Sequence, residues 1–403
     1  MFLLCLVLFG MTSRTLGQQS VAMQVASVSE QIWSLSERIY NEVSKTQEQF
    51  AISAVSIFTC VSMLLEGATN ANEKELLDLL QLTKFPVEQR RQILSSVMSH
   101  FNQVFSGIVY DDMSPKETKI VKTSIANSIW VKQGFNIKPS YSAVLKTHYQ
   151  SDAFNVEMEG PKTLNAVNKW ISDKTEGLIP KALNQIPSGV LVILVNTVYF
   201  YARWMHAFET ANTRDDIFHL KNGHKAKLPF MHQNSLHLKY LKAEDGSEYV
   251  ELPYKTGQMS MVVRFGKDAT HHANHKHVKQ LLESSKSTLV NLAMPKFDFK
   301  TDIDLKKVLQ AMGVSHIFNS GQRGFEGISD EDLFVSAAIH QSRIKVNEQG
   351  TEAAAVTIMM MTEGAFLHRD EPLDITLDKP YSFYIIDVKS KTVLFSSLFA
   401  GDN

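Results

Sequence analysis

The chain has 403 residues, with 41 Lys and Arg against 42 Asp and Glu and 44% hydrophobic residues. A formal charge of −1 at pH 7 argues against nucleic acid or an anionic membrane as the main partner. No Pro/Gly/Ser-rich linker, charge block, repeat or low-complexity tract divides the chain, so it reads as one domain of unusual size. In chain order, Met1 to Gly10 is an apolar run too short to span a bilayer, and small and polar residues follow through Gly17. That pattern predicts a secretory signal peptide over residues 1–17, with 18–403 as the mature domain in the extracellular space. An uncleaved anchor is the alternative. Cys5 would leave with the signal, and Cys60 alone makes no internal disulfide; it sits in an apolar run where a small buried hydrophobe is expected. Val28, Ile32, Leu35, Ile39 and Val43 recur at helical spacing, 55–65 predicts a mostly buried second helix, and 73–80 a third. Residues 191–201 form a β-branched and aromatic run expected of a strand covered on both faces. Further strands are expected at 259–265, 289–293, 383–388 and 392–399. Helices in the first half and strands in the second predict an α+β fold.

Recognisable catalytic chemistry is absent: there is no Gly-x-Ser-x-Gly, His-Glu-x-x-His, Cys-x-x-Cys or glycine-rich phosphate loop. His271, His272, His275 and His277 lie close together, but among Lys267, Asp268, Lys276 and Lys279 a solvated loop explains them better than a metal site, since nothing acidic or thiolate completes a shell. No cofactor or metal is expected.

The most informative stretch is Glu348–Gln349–Gly350–Thr351–Glu352–Ala353–Ala354–Ala355–Val356–Thr357. Local pattern leaves two readings open. Thr351 could cap a helix of good helix formers. Alternatively, Thr351, Ala353, Ala355, Thr357, Met359 and Met361 form one uncharged face of a strand at period two.

Glu348 to Ala355 resembles the reactive-loop hinge of the serpins, the serine protease inhibitor family. Other segments resemble that family in the same order: Asn168–Lys169–Trp170 with Thr175–Glu176–Gly177, Asn196 to Phe200 with Trp204 and Phe208, and Val250 to Tyr254. Met294 to Phe297, Phe325 to Ser329 and Lys379 to Phe383 continue the series. The resemblance spans roughly residues 28–400. It implies three β-sheets, eight or nine helices, and an exposed reactive loop at about 350–377.

It also implies a mechanism and its residues. A target serine protease would attack a loop bond to form an acyl-enzyme, and the freed loop would insert as an extra central strand. Ser53, Ser56, Asn196 and His340 match a polar cluster under the sheet opening. Glu348 and Lys296 match an ion pair at the top of the sheet, with Trp204 packed nearby; on the surface such a pair would contribute under about 1 kcal/mol. Ala54, Tyr381 and Ser397 depart from the usual proline, phenylalanine and glycine.

In the family the distance from hinge glutamate to cleaved residue is nearly fixed, so the resemblance implies a cleaved bond at Gly364–Ala365, seventeen residues counted from Glu348, which suits an elastase-like pocket. The alternatives are Glu363, Phe366 and Leu367, and Arg369–Asp370 for a trypsin-like pocket. The protein is expected to be a monomeric, secreted inhibitor rather than an enzyme. A non-inhibitory serpin-fold carrier, storage protein or chaperone, and a secreted hydrolase, are the rival readings. Glycosaminoglycan control has only the adjacent Arg90 and Arg91 in its favour, and a solvated face accounts for those more simply.

Overall fold

The structure, a computed structural model, describes residues 21–102, 104–110, 115–351 and 371–401, without side chains for 104–110 and 115–118. The expected signal peptide therefore lies outside the described residues. So do Glu352, Ala353, Ala354 and Ala355 of the hinge, and Glu363, Gly364, Ala365, Phe366, Leu367, Arg369 and Asp370 of the candidate cleavage window.

A helical stretch over 21–26 (α1) leads into α2 (Ser29–Val43), β1 (Phe50–Ile52), α3 (Ala54–Leu65), α4 (Asn70–Leu80) and α5 (Val87–Phe101). The apolar residues at helical spacing in α2 are the ones it buries: Ile32, Leu35, Ile39 and Val43 all face the core. Every residue of α3 is buried, Cys60 among them, and burial pushes its thiol up to about 12. Next come β2 (Val104–Tyr110), β3 (Pro115–Lys132), α6 (Pro139–Tyr149), β4 (Asp152–Val156), α7 (Pro161–Lys174) and β5 (Val192–Arg203). The second half carries β6 (Arg214–His219), β7 (Lys225–Lys242), β8 (Ser247–Pro253), β9 (Met259–Gly266), α8 (His275–Ser284), β10 (Ser287–Pro295), β11 (Phe297–Asp304) and α9 (Leu305–Ala311). It closes with β12 (Ala337–Asn347), β13 (Gly350–Thr351), β14 (Leu373–Thr376), β15 (Tyr381–Asp387) and β16 (Thr392–Phe399).

Three sheets result, two of them sharing one long strand. The central sheet runs β11-β12-β13-β5-β3-β2, with β4 parallel on β3. The second runs β1-β16-β15-β9-β8-β7, and the far half of β7 continues into the third with β6, β10 and β14. Counting α1, the described residues hold nine α-helices. The expected crowding of strands into the second half holds only in part, because β3, eighteen residues long, comes from the first half and pairs with β5 along eleven positions. Its polar outer face hid it. Among the described residues no helix is long and apolar enough to cross a membrane.

Two further expectations are corrected. The histidine segment is only partly solvated: His271 is exposed, but His275 opens α8 and stacks on Trp33 at 4.7 Å, while His272 packs edge-on to Trp33, Tyr40 and Tyr384. Burial pushes His272 down to about 3 and His275 to about 4, so both are neutral aromatic core members. Arg90 and Arg91 are not a solvated face either. Arg90 is buried and donates to the Phe85 carbonyl, and Arg91 pairs with Glu66 and Glu88, so neither offers a free cation to a polyanion.

Candidate functional site

The central sheet contains a seam. In its lower part β12 and β5 pair directly and in parallel, from Ala337↔Ile193 to Gln341↔Thr197. At the top they part, and Gly350–Thr351 lies between them, antiparallel to both: Thr351 faces Val346 and Ala202, and Gly350 faces Asn347 and Arg203. The chain after Asn347 reverses direction and enters its own sheet. Thr351 is therefore a strand residue, which removes the helix-cap reading for that position.

Sequence explains why the entry holds. At Gly350 the backbone passes so close to its neighbour that a Cβ would sit 2.0 Å from the Ala202 carbonyl oxygen, at a φ of +154°; only glycine fits. Thr351 is buried, and its hydroxyl bonds the Tyr254 hydroxyl at 2.7 Å. Tyr254 stacks against Trp204 with ring centroids 4.6 Å apart, and Trp204 Nε1 donates to the Asn347 carbonyl at 3.0 Å. The backbone N–H groups of Trp204 and Phe208 donate to the carbonyls of Gln349 and Glu348.

Lys296 Nζ donates to Glu348 Oε1 at 2.9 Å, and Thr213 Oγ1 donates to the same oxygen at 2.8 Å. Partial burial alone would raise the Glu348 carboxyl, but these two bonds and the ammonium charge hold it below the usual carboxylate range. The Glu348 side chain is 8% exposed, so this pair is more sheltered than a surface ion pair.

Beneath the closed part of the seam lies the polar cluster. Ser53, the N-cap of α3, gives its backbone N–H to His340 Nε2 at 3.2 Å. With Nε2 accepting, the proton sits on Nδ1, which faces Asn196 Oδ1 at 2.5 Å. Asn196 Nδ2 donates to Ser56 Oγ at 2.6 Å. All four residues matched from the sequence meet here. Burial pushes His340 down to about 3, so the cluster is neutral.

Sequence reasoning missed one member. Asn127 on β3 stands in register with Asn196 and accepts from its Nδ2 at 2.5 Å, while its own amide nitrogen has no partner among the described residues. One row therefore runs Asn127, Asn196, His340 across three strands, and its last hydrogen bond crosses the seam. The signal was the strand register, which one sequence does not print.

The departures from the family pattern also have structural traces. The buried Tyr381 hydroxyl and Ser397 hydroxyl have no hydrogen-bond partner among the described residues.

Comparison with known proteins agrees with this geometry. The profile of the family described as serpin (serine protease inhibitor) matches residues 30–400, and the chain belongs to that family. A serine protease inhibitor of Cyanea capillata is 29% identical over 374 residues, 88% of this chain and 92% of that protein. Native protease nexin-1 with heparin superposes with a TM-score of 0.80 at 22% identity, covering 94% of this chain and 100% of that one. Thyroxine-binding globulin complexed with thyroxine superposes almost as well, with a TM-score of 0.78 at 21% identity over 94% and 99%. At these identities the structural likeness shows the serpin fold alone, and that fold is common to a heparin-bound and a thyroxine-bound protein.

Proposed function

We propose that the chain is a secreted inhibitor that traps a serine protease as a suicide substrate: the enzyme cleaves the segment between Thr351 and Glu371, and the freed strand enters the seam before the acyl-enzyme hydrolyses. The observation that carries this reading is the register of β13. Each step forward from Thr351 moves one step back along both neighbours. Six steps on is Thr357; six back from Val346 is His340, and six back from Ala202 is Asn196. His340 and Asn196 already face each other in the closed sheet. A strand continuing from β13 thus needs no slip on either side, and it delivers the Thr357 hydroxyl to the two groups whose bond across the seam it separates.

In a strand continuing in that register, Ala353 and Ala355 would share the core face with Thr351, small residues that can pass between strands without a charge to desolvate. The driving force is a new pair of hydrogen-bonded ladders plus burial of that face. From Gly350 to Gly364 such a strand spans roughly 45 Å at about 3.3 Å per residue. The fold does not separate inhibitor from carrier; the hinge sequence supports the inhibitor reading, because Gly350 to Thr357 has no bulky, charged or proline residue on the inserting face. The short apolar run at Met1 to Gly10, followed by small and polar residues through Gly17, supports secretion. The test is a denaturing gel after incubation with elastase-, trypsin- and chymotrypsin-type proteases: a covalent adduct supports trapping, and cleavage without adduct supports a carrier.

A further inference from the structure

Residues 175–183 follow α7 and cross the outer face of the central sheet above the seam. Ile179, Ala182 and Leu183 belong, with α7, to a second apolar cluster that covers Ile193 and Val195 of β5 together with Ala337 and Ile339 of β12. Those four residues are two of the facing pairs that close the seam.

This strap is tied down on both sides. On the β3 side, Glu176 takes Lys119 Nζ on one carboxylate oxygen at 2.7 Å and Lys122 Nζ on the other. The two ammonium groups also lie over the rings of Tyr199 and Tyr201 on β5. Burial would raise the Glu176 carboxyl, but the two lysines pull it down to about 2. On the β12 side, Gln341 Nε2 donates to the Ala182 carbonyl at 2.9 Å, and Arg343 Nη1 to the Leu178 carbonyl at 3.2 Å.

A strand entering between β5 and β12 moves them apart by one strand spacing, about 4.8 Å. No hydrogen bond stretches that far, so one set of ties must release first. We propose that the Lys119–Glu176–Lys122 clamp is an electrostatic latch that holds the strap over the seam and slows strand entry. It rests on the reading above, that the seam admits a strand. Of the ties named, the clamp is the ionic one, and with about a third of the Glu176 side chain exposed it is open to screening by salt.

The test is uptake by the intact protein of a synthetic peptide with the sequence of residues 351–364, followed by native-gel mobility at about 20 mM and about 500 mM NaCl. At low salt E176Q is expected to take up the peptide about fivefold faster than the natural protein, the factor two weak ion pairs sharing one carboxylate can supply. High salt should raise the natural protein to the E176Q rate and leave E176Q unchanged. D173N, which removes the neighbouring exposed Lys169–Asp173 pair, should leave the rate as it is. Equal low-salt rates for E176Q and the natural protein would overturn the latch and leave the seam standing. Uptake by neither protein would overturn the strand-entry reading and the latch with it.

Discussion

Replacing Thr351 with arginine tests whether the seam is the working part of the molecule. Thr351 is 1% exposed between β12 and β5, with its hydroxyl on Tyr254. Arginine there buries an unpaired charge and orphans the Tyr254 hydroxyl, a cost of about 3–5 kcal/mol. If half of that, about 2 kcal/mol, is already felt in the transition state for strand entry, insertion slows about 30-fold. Deacylation by the protease is unaffected, because the substitution lies far along the chain from the candidate cleavage window. The partition therefore turns from trapping to hydrolysis. Titrating protease with inhibitor should give more than about ten molecules cleaved per enzyme inactivated, against near one for the natural protein, with cleavage itself as fast. One-to-one trapping by T351R would refute strand entry at this position.

Gly350→Ala forces a Cβ onto the Ala202 carbonyl oxygen and should unseat β13, seen as faster hydrogen exchange at Thr351. Lys296→Met leaves the sheltered Glu348 carboxylate with Thr213 and should cost about 1–2 kcal/mol in a urea melt. His340, His272 and His275 have folded-state values depressed to about 3, about 3 and about 4, so the unfolded chain binds more protons between those values and about 6.5. Stability should therefore fall as pH drops from about 6.5 toward 4, by up to about 1.4 kcal/mol per unit for each histidine, and His340→Asn should make that slope shallower. Complete cleavage between Thr351 and Glu371 should raise the thermal midpoint by tens of degrees through the added strand, and an unchanged midpoint would favour the carrier reading.

The parts of this fold legible in the sequence are those whose pattern is local. Helix α2 shows its buried face every third or fourth residue, and β5 announces its two covered faces as an unbroken apolar run. Strands β3 and β7 were missed because each is long, changes partners along its length and mixes lysines with apolar residues. Of the site, Ser53, Ser56, Asn196, His340, Glu348, Lys296 and Trp204 were singled out through an ordered motif match; the structure gathers the first four into one hydrogen-bonded cluster and pairs Lys296 with Glu348. Asn127 was not, since what makes it a member of the cluster is standing opposite Asn196, a fact of register. His272 and His275 misled because charged neighbours in sequence suggested solvent, whereas Trp33 and Tyr384, far along the chain, supply their surroundings. Lys119, Lys122 and Glu176 became a group only once β3 was laid beside β5.

The central claim, that a cleaved loop enters this seam while the protease is still attached, is most directly tested by mass spectrometry of the protein after reaction with an elastase-type protease. The account predicts a denaturant-resistant adduct of protease with the chain up to Gly364, together with a released carboxy-terminal peptide beginning at Ala365. A peptide beginning at Asp370 would move the bond and point to a trypsin-like target without touching the mechanism. Complete cleavage with free, active protease and no adduct would contradict it.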